Sequence, residues 1–100
     1  MATTSKVLAR TAAATTSTTL YTVPSATTTI VTNIGITNTS SSGVTASVLL
    51  NDVSLLASVA VDANSTIFVD LKQVLSATQT IKGSASTTAV NFHISGVEVA

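Results

Sequence analysis

The sequence has no cysteine, no tryptophan, one proline and only three aromatic residues among its 100 positions. Without cysteine it can form neither a disulfide framework nor a thiolate metal site, and the redox compartment cannot be read from it. It contains no run of about 18 apolar residues, and Val7-Leu8-Ala9 is too short for the core of a secretory signal. Ala2 stands where a myristoylation signal requires glycine. These features predict a soluble protein that is made in a cytoplasm and has no membrane partner.

Charge is also scarce. Four basic residues balance four acidic ones, so the formal net charge is zero. The sequence therefore lacks the basic stripe that neutralises phosphates, and we expect no nucleic-acid partner. Because so few charges provide little repulsion between copies, the composition favours self-association or incorporation into a larger assembly.

Hydroxyl side chains take the place of the missing charges, with 20 threonines and 14 serines set among valine, isoleucine, leucine and alanine. Threonine, valine and isoleucine are β-branched, which restricts them in a helix and suits them to a pleated sheet. A chain of this length is enough for one domain around a single core. The composition therefore predicts one all-β domain.

Apolar residues recur at every second position in the middle of the chain, which is typical of strands with one face in the core. The positions that we expect to face inward are Ile30, Thr32, Ile34, Ile36, Val44, Ala46, Val48, Leu50, Leu55, Ala57, Val59 and Val61. Clusters of Asn, Asp, Ser and Gly between these runs predict turns. They lie at 38–43, 51–52, 62–65 and 86–88.

Two segments depart from this alternation. Asp70 precedes Leu71, with Val74 and Leu75 three and four positions later, and this spacing predicts one helical turn capped by a carboxylate. In the last strand, the inward phase of Val90, Phe92 and Ile94 switches to Val97 and Val99, so we expect a β-bulge at Ser95-Gly96.

Together these patterns predict an antiparallel β-sandwich of six to eight short strands at residues 19–100, either immunoglobulin-like or jelly-roll-like. Residues 1–18 have low complexity and no sustained apolar period. We expect them to form an extended N-terminal arm, which either is disordered or becomes ordered on a neighbouring subunit.

No residue pattern indicates catalysis. His93 is the single histidine and has no partner in the sequence, so an exposed or interface position is favoured over a role as base or ligand. Asp52, Asp62 and Asp70 are interpreted as turn and cap residues because no calcium-binding loop pattern surrounds them.

The sequence also lacks a nucleophile elbow and a phosphate-binding loop. Asn38 and Asn64 match the glycosylation pattern, which chance explains in a sequence so rich in Ser and Thr. The expectation is therefore a protein that is not an enzyme, with no catalytic residue, cofactor or metal site.

Several segments resemble small structural proteins of tailed bacteriophages, over most of the chain after residue 6. They are Leu20-Tyr21-Thr22-Val23-Pro24, the Ile/Val strand ending in Asn38, Leu71 to Leu75, Thr80-Ile81 and Ile94-Ser95-Gly96-Val97-Glu98-Val99. The resemblance implies a β-sandwich virion protein and assigns no catalytic residue.

Within that class, the first expectation is a capsid cement or decoration protein that binds across joints between major capsid protein subunits. It would act as a homo-oligomer, expected to be a trimer, on the capsid exterior after synthesis in the host bacterial cytoplasm. The alternative is a tail, connector or fibre-associated structural or receptor-binding module.

Overall fold

The computed structural model describes residues 2–100, and within them every regular element is a β-strand. The strands are β1 (Thr3–Ala12), β2 (Thr18–Thr22), β3 (Thr28–Asn38), β4 (Val44–Leu50), β5 (Val53–Val61), β6 (Thr66–Leu75), β7 (Thr80–Ala85) and β8 (Val90–Val99). All paired strands are antiparallel. The predicted all-β antiparallel sandwich is confirmed.

The strands form two four-stranded sheets, sheet A in the order β1-β8-β3-β6 and sheet B in the order β2-β7-β4-β5. Each strand of the first half pairs with its counterpart counted from the end: β1 with β8, β2 with β7, β3 with β6 and β4 with β5. The chain is therefore one long antiparallel hairpin rolled into two sheets. This order is that of a jelly roll and differs from the immunoglobulin order.

The tip of the long hairpin is the turn between β4 and β5. Asn51 and Asp52 occupy it with φ angles of 50° and 64°. Two consecutive left-handed residues define a type I′ turn, whose twist matches that of the flanking strands, and Asn and Asp tolerate this conformation well. The sequence prediction of a reversal at this dipeptide is confirmed.

The core lies between the sheets and is mostly aliphatic. Phe92 is its largest fully buried side chain, and its ring reaches across to Gly83 of sheet B. A Cβ at Gly83 would lie 3.1 Å from Phe92 Cε2, so the bare glycine makes room for the ring. The other largest fully buried hydrophobic side chains are Ile34, Ile36, Ile81, Ile94, Val23, Val31, Val48, Val61 and Val90.

The extended arm expected at residues 1–18 is not confirmed. Thr3–Ala12 form β1, which pairs with β8 from Thr3 opposite Val99 to Ala12 opposite Asn91. Leu8, Ala9 and Ala13 are buried in the core. Pairing with β8 satisfies the backbone N–H and C=O groups of this segment. The low-complexity sequence of the segment gave no indication of this partner strand.

The helical turn expected at Asp70 to Leu75 is wrong, because β6 continues to Leu75. The bulge expected at Ser95-Gly96 of β8 lies instead on the two strands that flank β8, at the positions opposite this dipeptide. Opposite this dipeptide, β1 carries the extra residue Leu8 and β3 the extra residue Thr32.

These bulges change the predicted inward positions. In β3, Ile34 and Ile36 are fully buried as expected, whereas before the bulge Thr29 and Val31 are the buried residues. In β8 there is no phase switch, since Gly96 is buried and Val97 is only partly so.

The predicted alternation holds for β4 and is interrupted once in β5, where Val61 is buried and Leu55 and Val59 are partly buried as expected. Val44, Ala46 and Val48 are buried as expected. In β5, Ala57 is exposed, and the register against β4 shifts twice around it. Ser58 has a positive φ of 48°. An irregular edge strand of this kind loses the strict period of two.

Candidate interaction surfaces

The outward surface of sheet A, called here the sheet A face, carries Val7, Phe68 and Val74, three of the four exposed large hydrophobic residues among residues 2–100; the fourth is Val53 in β5. Ile30 lies opposite Val97 on β8 and Val74 on β6, so these three form an apolar row across the strands. Val74 is 64% exposed, and Val7 next to the row is 46% exposed. An apolar row on an outward face is typical of a surface that another molecule covers.

A second row crosses the same face. Arg10, His93, Gly35 and Phe68 follow one another in register over β1, β8, β3 and β6. Phe68 is 69% exposed, and its ring lies over Gly35, where a Cβ would come within 2.9 Å of Cε1. The face therefore offers one accessible aromatic ring beside an imidazole.

Between these rows, the bulges produce a shallow trough. The register shifts of β1 and β3 lie near Thr32. Thr32 lines two depressions of about 450 and 410 Å³, one on each side of its side chain. Asp70 and Lys72 line the first, and Ser5 and Val97 the second. The trough has mixed polar and apolar walls and is open to solvent.

The outward surface of sheet B differs in chemistry. Its outward positions on β4, β5 and β7 are mostly hydroxyl residues, as expected from the composition: Thr45, Ser47, Ser54 and Ser84. Lys82 pairs with Asp52 at the hairpin tip, with Nζ 2.7 Å from Oδ1. Leu49 shares this face, opposite Ser54 and Lys82. The sheet B face is therefore mainly hydroxylated, whereas the sheet A face combines apolar and aromatic residues with charged ones.

The structure does not bring the carboxylates singled out in the sequence together. Asp52 lies in the hairpin tip and Asp62 in the turn after β5, as expected. Asp70 instead lies within β6 and accepts a hydrogen bond from Asn33 Nδ2 at 3.0 Å. Residues 2–100 contain no group of three or more His, Cys, Asp and Glu side chains that could hold a metal ion.

One polar network crosses from sheet A to sheet B. The Tyr21 hydroxyl on β2 donates to Glu98 Oε2 on β8 and lies 2.8 Å from Thr29 Oγ1. Because the single tyrosine proton goes to the carboxylate, Thr29 donates to the tyrosine oxygen. Lys6 Nζ completes the network 3.3 Å from Glu98 Oε1.

This network shifts two pKa values in opposite directions. The hydrogen bond from Tyr21 is the main reason that the pKa of Glu98 falls below its usual value, with a smaller contribution from Lys6. Burial, followed by the contact with Glu98, raises the pKa of the Tyr21 hydroxyl. Both shifts favour an ionised carboxylate beside a neutral phenol, the pairing with the strongest hydrogen bond.

Asn38 organises the turns at the other end of the sandwich. Its side chain is fully buried, and Nδ2 donates to the carbonyl oxygens of Ser42, Val61 and Asp62 at 2.8, 3.2 and 3.1 Å. Oδ1 accepts from the backbone N–H of Ser40 at 2.9 Å. In the folded protein this amide is therefore inaccessible to glycosylation, whereas Asn64 is exposed.

Sequence reasoning missed the exposed apolar residues of β6. Phe68 and Val74 belong to a segment interpreted partly as a helical turn, so their shared outward face was not recognised. The signal was the even spacing of Thr66, Phe68, Asp70, Lys72 and Val74, which places them on one side of a strand.

The fold and these surfaces together define the chain as a jelly-roll β-sandwich that exposes apolar and aromatic side chains on one outer face. Comparison with known protein families finds no family model that matches the chain, and no curated protein matches its sequence. Within residues 2–100 there is no helix long and apolar enough to cross a membrane.

Proposed function

We propose that this chain is a structural protein of a tailed bacteriophage virion, of the capsid cement or decoration type. It binds on the capsid exterior across joints between major capsid protein subunits and stabilises the head. The observation that carries the proposal is the apolar area of the sheet A face, which is presented by Val7, Ile30, Val97 and Val74. Charged side chains flank this area on the same face, at Arg10, Asp70 and Lys72.

Two further observations support it. The segments of the sequence that resemble phage structural proteins include the parts of β2 and β8 that contain Tyr21 and Glu98 of the network between the sheets. Jelly rolls also occur in viral capsid domains, although a fold by itself does not assign a function.

The mechanism is adhesive. Burying apolar area contributes roughly 25 cal/mol per Å², so a face of this kind gains free energy when a flat capsid surface covers it. Because the outward positions next to Val7 and Val97 include the small hydroxyl residues Ser5, Ser95 and Thr32, backbones can approach closely there. Bridging two capsid subunits then resists their separation under pressure from packaged DNA.

The experiment uses heads purified from a phage strain in which the gene for this chain is interrupted. The purified protein should co-sediment with these heads and raise the temperature at which they release DNA. Val7→Asp on the sheet A face should weaken binding, whereas Thr45→Asp on the sheet B face should not. Absence of co-sedimentation at micromolar protein, or equal loss with both variants, would contradict the proposal.

A second candidate is a tail, connector or fibre-associated module that recognises a host glycan, and exposed Phe68 favours it. An aromatic ring on a flat face, with Asn33 and Asp70 on the neighbouring row, combines stacking with hydrogen bonding groups suited to a sugar. Glycan-array binding that is abolished by Phe68→Ala would support this candidate over the first. The jelly-roll fold is also used by lectin domains.

A further inference from the structure

Strand β6 is an open edge of sheet A. It pairs with β3 on one side and, among residues 2–100, with no strand on the other. At the start of the strand, Asn38 N donates to Ser65 O at 2.8 Å, so Ser65 directs its peptide groups towards β3. Alternation then directs those of Thr66, Phe68 and Asp70 towards the open side, where they can pair with another strand.

The sequence of β6 is complementary to itself about Leu71. Asp70 and Lys72 lie one position before and after Leu71, and both are exposed. Phe68 and Val74 lie three positions before and after it, and they are 69% and 64% exposed. β6 shifts register against β3 at this point, with Leu71 and Lys72 both opposite Thr32. Phe68 and Asp70 nevertheless lie opposite the outward Gly35 and Asn33, and Val74 lies opposite the outward Ile30, so the outward positions of β6 stay even-numbered.

We infer that two copies of this chain pair through β6, antiparallel and about a two-fold axis at Leu71, to form a continuous eight-stranded sheet. In this register Asp70 of each copy lies opposite Lys72 of the other, and Phe68 of each lies opposite Val74 of the other. Residues directly opposite on antiparallel strands are in contact, so two ion pairs and two apolar pairs form at once.

The neighbouring registers are unfavourable, which selects this one. Moving the axis to Asp70 places Asp70 opposite Asp70, and moving it to Lys72 places Lys72 opposite Lys72. Like charges directly opposite each other are destabilising. A shift of the pairing by a single residue would place outward side chains opposite inward ones. Charge therefore fixes both the partner and the alignment.

The other long edge strands are less suited to self-pairing. β5 has two register shifts against β4, and antiparallel pairing centred on Ala57 would bring Asp52 opposite Asp62. β1 is interrupted by the bulge at Leu8. In β1 the bulge reverses the alternation, since Val7 is exposed and Ala9 is buried, whereas β6 keeps even-numbered outward positions on both sides of its own register shift against β3.

One strand per copy buries less than the roughly 800 Å² per partner that is typical of stable complexes. The dimer is therefore expected to be in concentration-dependent exchange with the monomer. The inference does not depend on the proposed virion function, and its test uses only the purified chain.

Sedimentation velocity over a concentration series should show the mass rising from that of one chain to that of two. Asp70→Lys places lysines opposite each other twice, and Lys72→Asp places aspartates opposite each other twice. Each variant alone should weaken dimerisation by at least about tenfold, since repulsion replaces attraction at both pairs.

Charge complementation distinguishes pairing from a loss of folding. The double variant Asp70→Lys with Lys72→Asp restores two opposite-charge pairs and should dimerise like the unmodified chain. A mixture of the two single variants should form a heterodimer. Asp62→Lys, in a turn away from the edge, is the control that leaves the mass unchanged.

The inference is overturned if the unmodified chain is a monomer up to several hundred micromolar or if it forms a trimer. It is equally overturned if the single variants, shown by circular dichroism to be folded, dimerise as the unmodified chain does. Failure here leaves the head-binding experiment unaffected, because that experiment depends on Val7 and not on β6.

Discussion

The ring of Phe68 lies across the bare Cα of Gly35 on the sheet A face. A Cβ at Gly35 would be 2.9 Å from Phe68 Cε1 and 3.6 Å from His93 Cβ. The ring is held from one side only, since most of its surface is exposed.

We therefore expect Gly35→Ala to displace the ring without a large loss of stability. An exposed side chain can rotate away, so the free energy of unfolding should change by less than about 1 kcal/mol, and alanine suits a strand better than glycine. Urea denaturation checks the stability, and the aromatic NMR signals of Phe68 check the displacement. A loss above about 2 kcal/mol would show that the ring is fixed.

Gly96→Ala should behave differently, although it lies on the adjacent strand β8. A Cβ there would overlap the carbonyl oxygen of Ile30 and lie 2.9 Å from Leu8 Cδ1. A backbone oxygen has no alternative rotamer, so the sheet itself must move. We expect destabilisation of about 1–3 kcal/mol, the usual range for overpacking. Similar values for Gly96→Ala and Gly35→Ala in the same denaturation series would contradict this contrast.

Acid should weaken the link between the sheets. The pKa of Glu98 is lower in the folded protein than its usual 4.5, mainly because Tyr21 donates a hydrogen bond to the carboxylate. The unfolded chain therefore takes up the proton first as pH falls. The stability contributed by Glu98 is complete above about pH 4.5 and is lost as pH falls through the lower folded pKa.

Thermal melts between pH 2 and pH 7 check this, with Glu98→Gln as the test variant and Asp62→Asn as its matched control. Glu98→Gln should flatten the acid limb of the stability curve, and Asp62→Asn should leave it unchanged. If both variants keep the acid limb of the unmodified chain, Glu98 is not its source.

The alkaline limb should depend on Tyr21. Burial and the contact with Glu98 raise the pKa of its hydroxyl above the usual 10.0. The stability it contributes is therefore fully present below pH 10 and is lost as pH rises through the higher folded pKa. Absorbance titration of the phenolate, the chain having a single tyrosine, should give a midpoint above that of the urea-unfolded chain. A midpoint equal to or below it would be inconsistent with the network.

Asn38→Ala should destabilise the end of the sandwich where three turns meet. It removes the amide that satisfies the carbonyl oxygens of Ser42, Val61 and Asp62. Leaving buried acceptors unpaired costs about 1–3 kcal/mol. Asn64→Gly, at an exposed turn position whose positive φ of 53° suits glycine, should cost less, and equal losses for the Asn38 and Asn64 variants would argue against the structural role of Asn38.

Leu8→Ala tests whether β1 belongs to the folded domain. Leu8 is 7% exposed and packs in the core, so truncation should cost about 2–5 kcal/mol. Val7→Ala, at the adjacent outward position, should cost less than about 1 kcal/mol. If Leu8→Ala melts like the unmodified chain, the segment is a free arm after all.

Local features of this fold could be predicted from the sequence. The reversal at Asn51-Asp52 and the turn at 38–43 depend on residues next to each other, and the buried positions of β4 follow from strict alternation. The order of the strands could not be predicted in this way. Pairing β1 with β8 joins residues that are 79 to 96 positions apart, and no local signal specifies that contact.

The segment from Asp70 to Leu75 shows the limit most clearly. Leu71, Val74 and Leu75 fit the spacing of a helix turn, and they also fit an edge strand on which Val74 faces solvent. Only pairing with β3 decides between the two. The same error concealed the self-complementary edge, because Asp70 and Lys72 share a face only when the segment is extended.

The trimer expected from the resemblance stays a prediction. The β6 contact is two-fold and gives a dimer, so the mass measured in solution separates the two.

Cryo-electron microscopy of purified virions from a phage that encodes this chain tests the central claim most directly. The account predicts jelly-roll density on the outside of the head, across joints between major capsid subunits, with the face containing Val7 and Val97 turned towards the capsid. Density confined to the tail would favour the glycan-binding candidate. Absence of the chain from heads would contradict the proposed function.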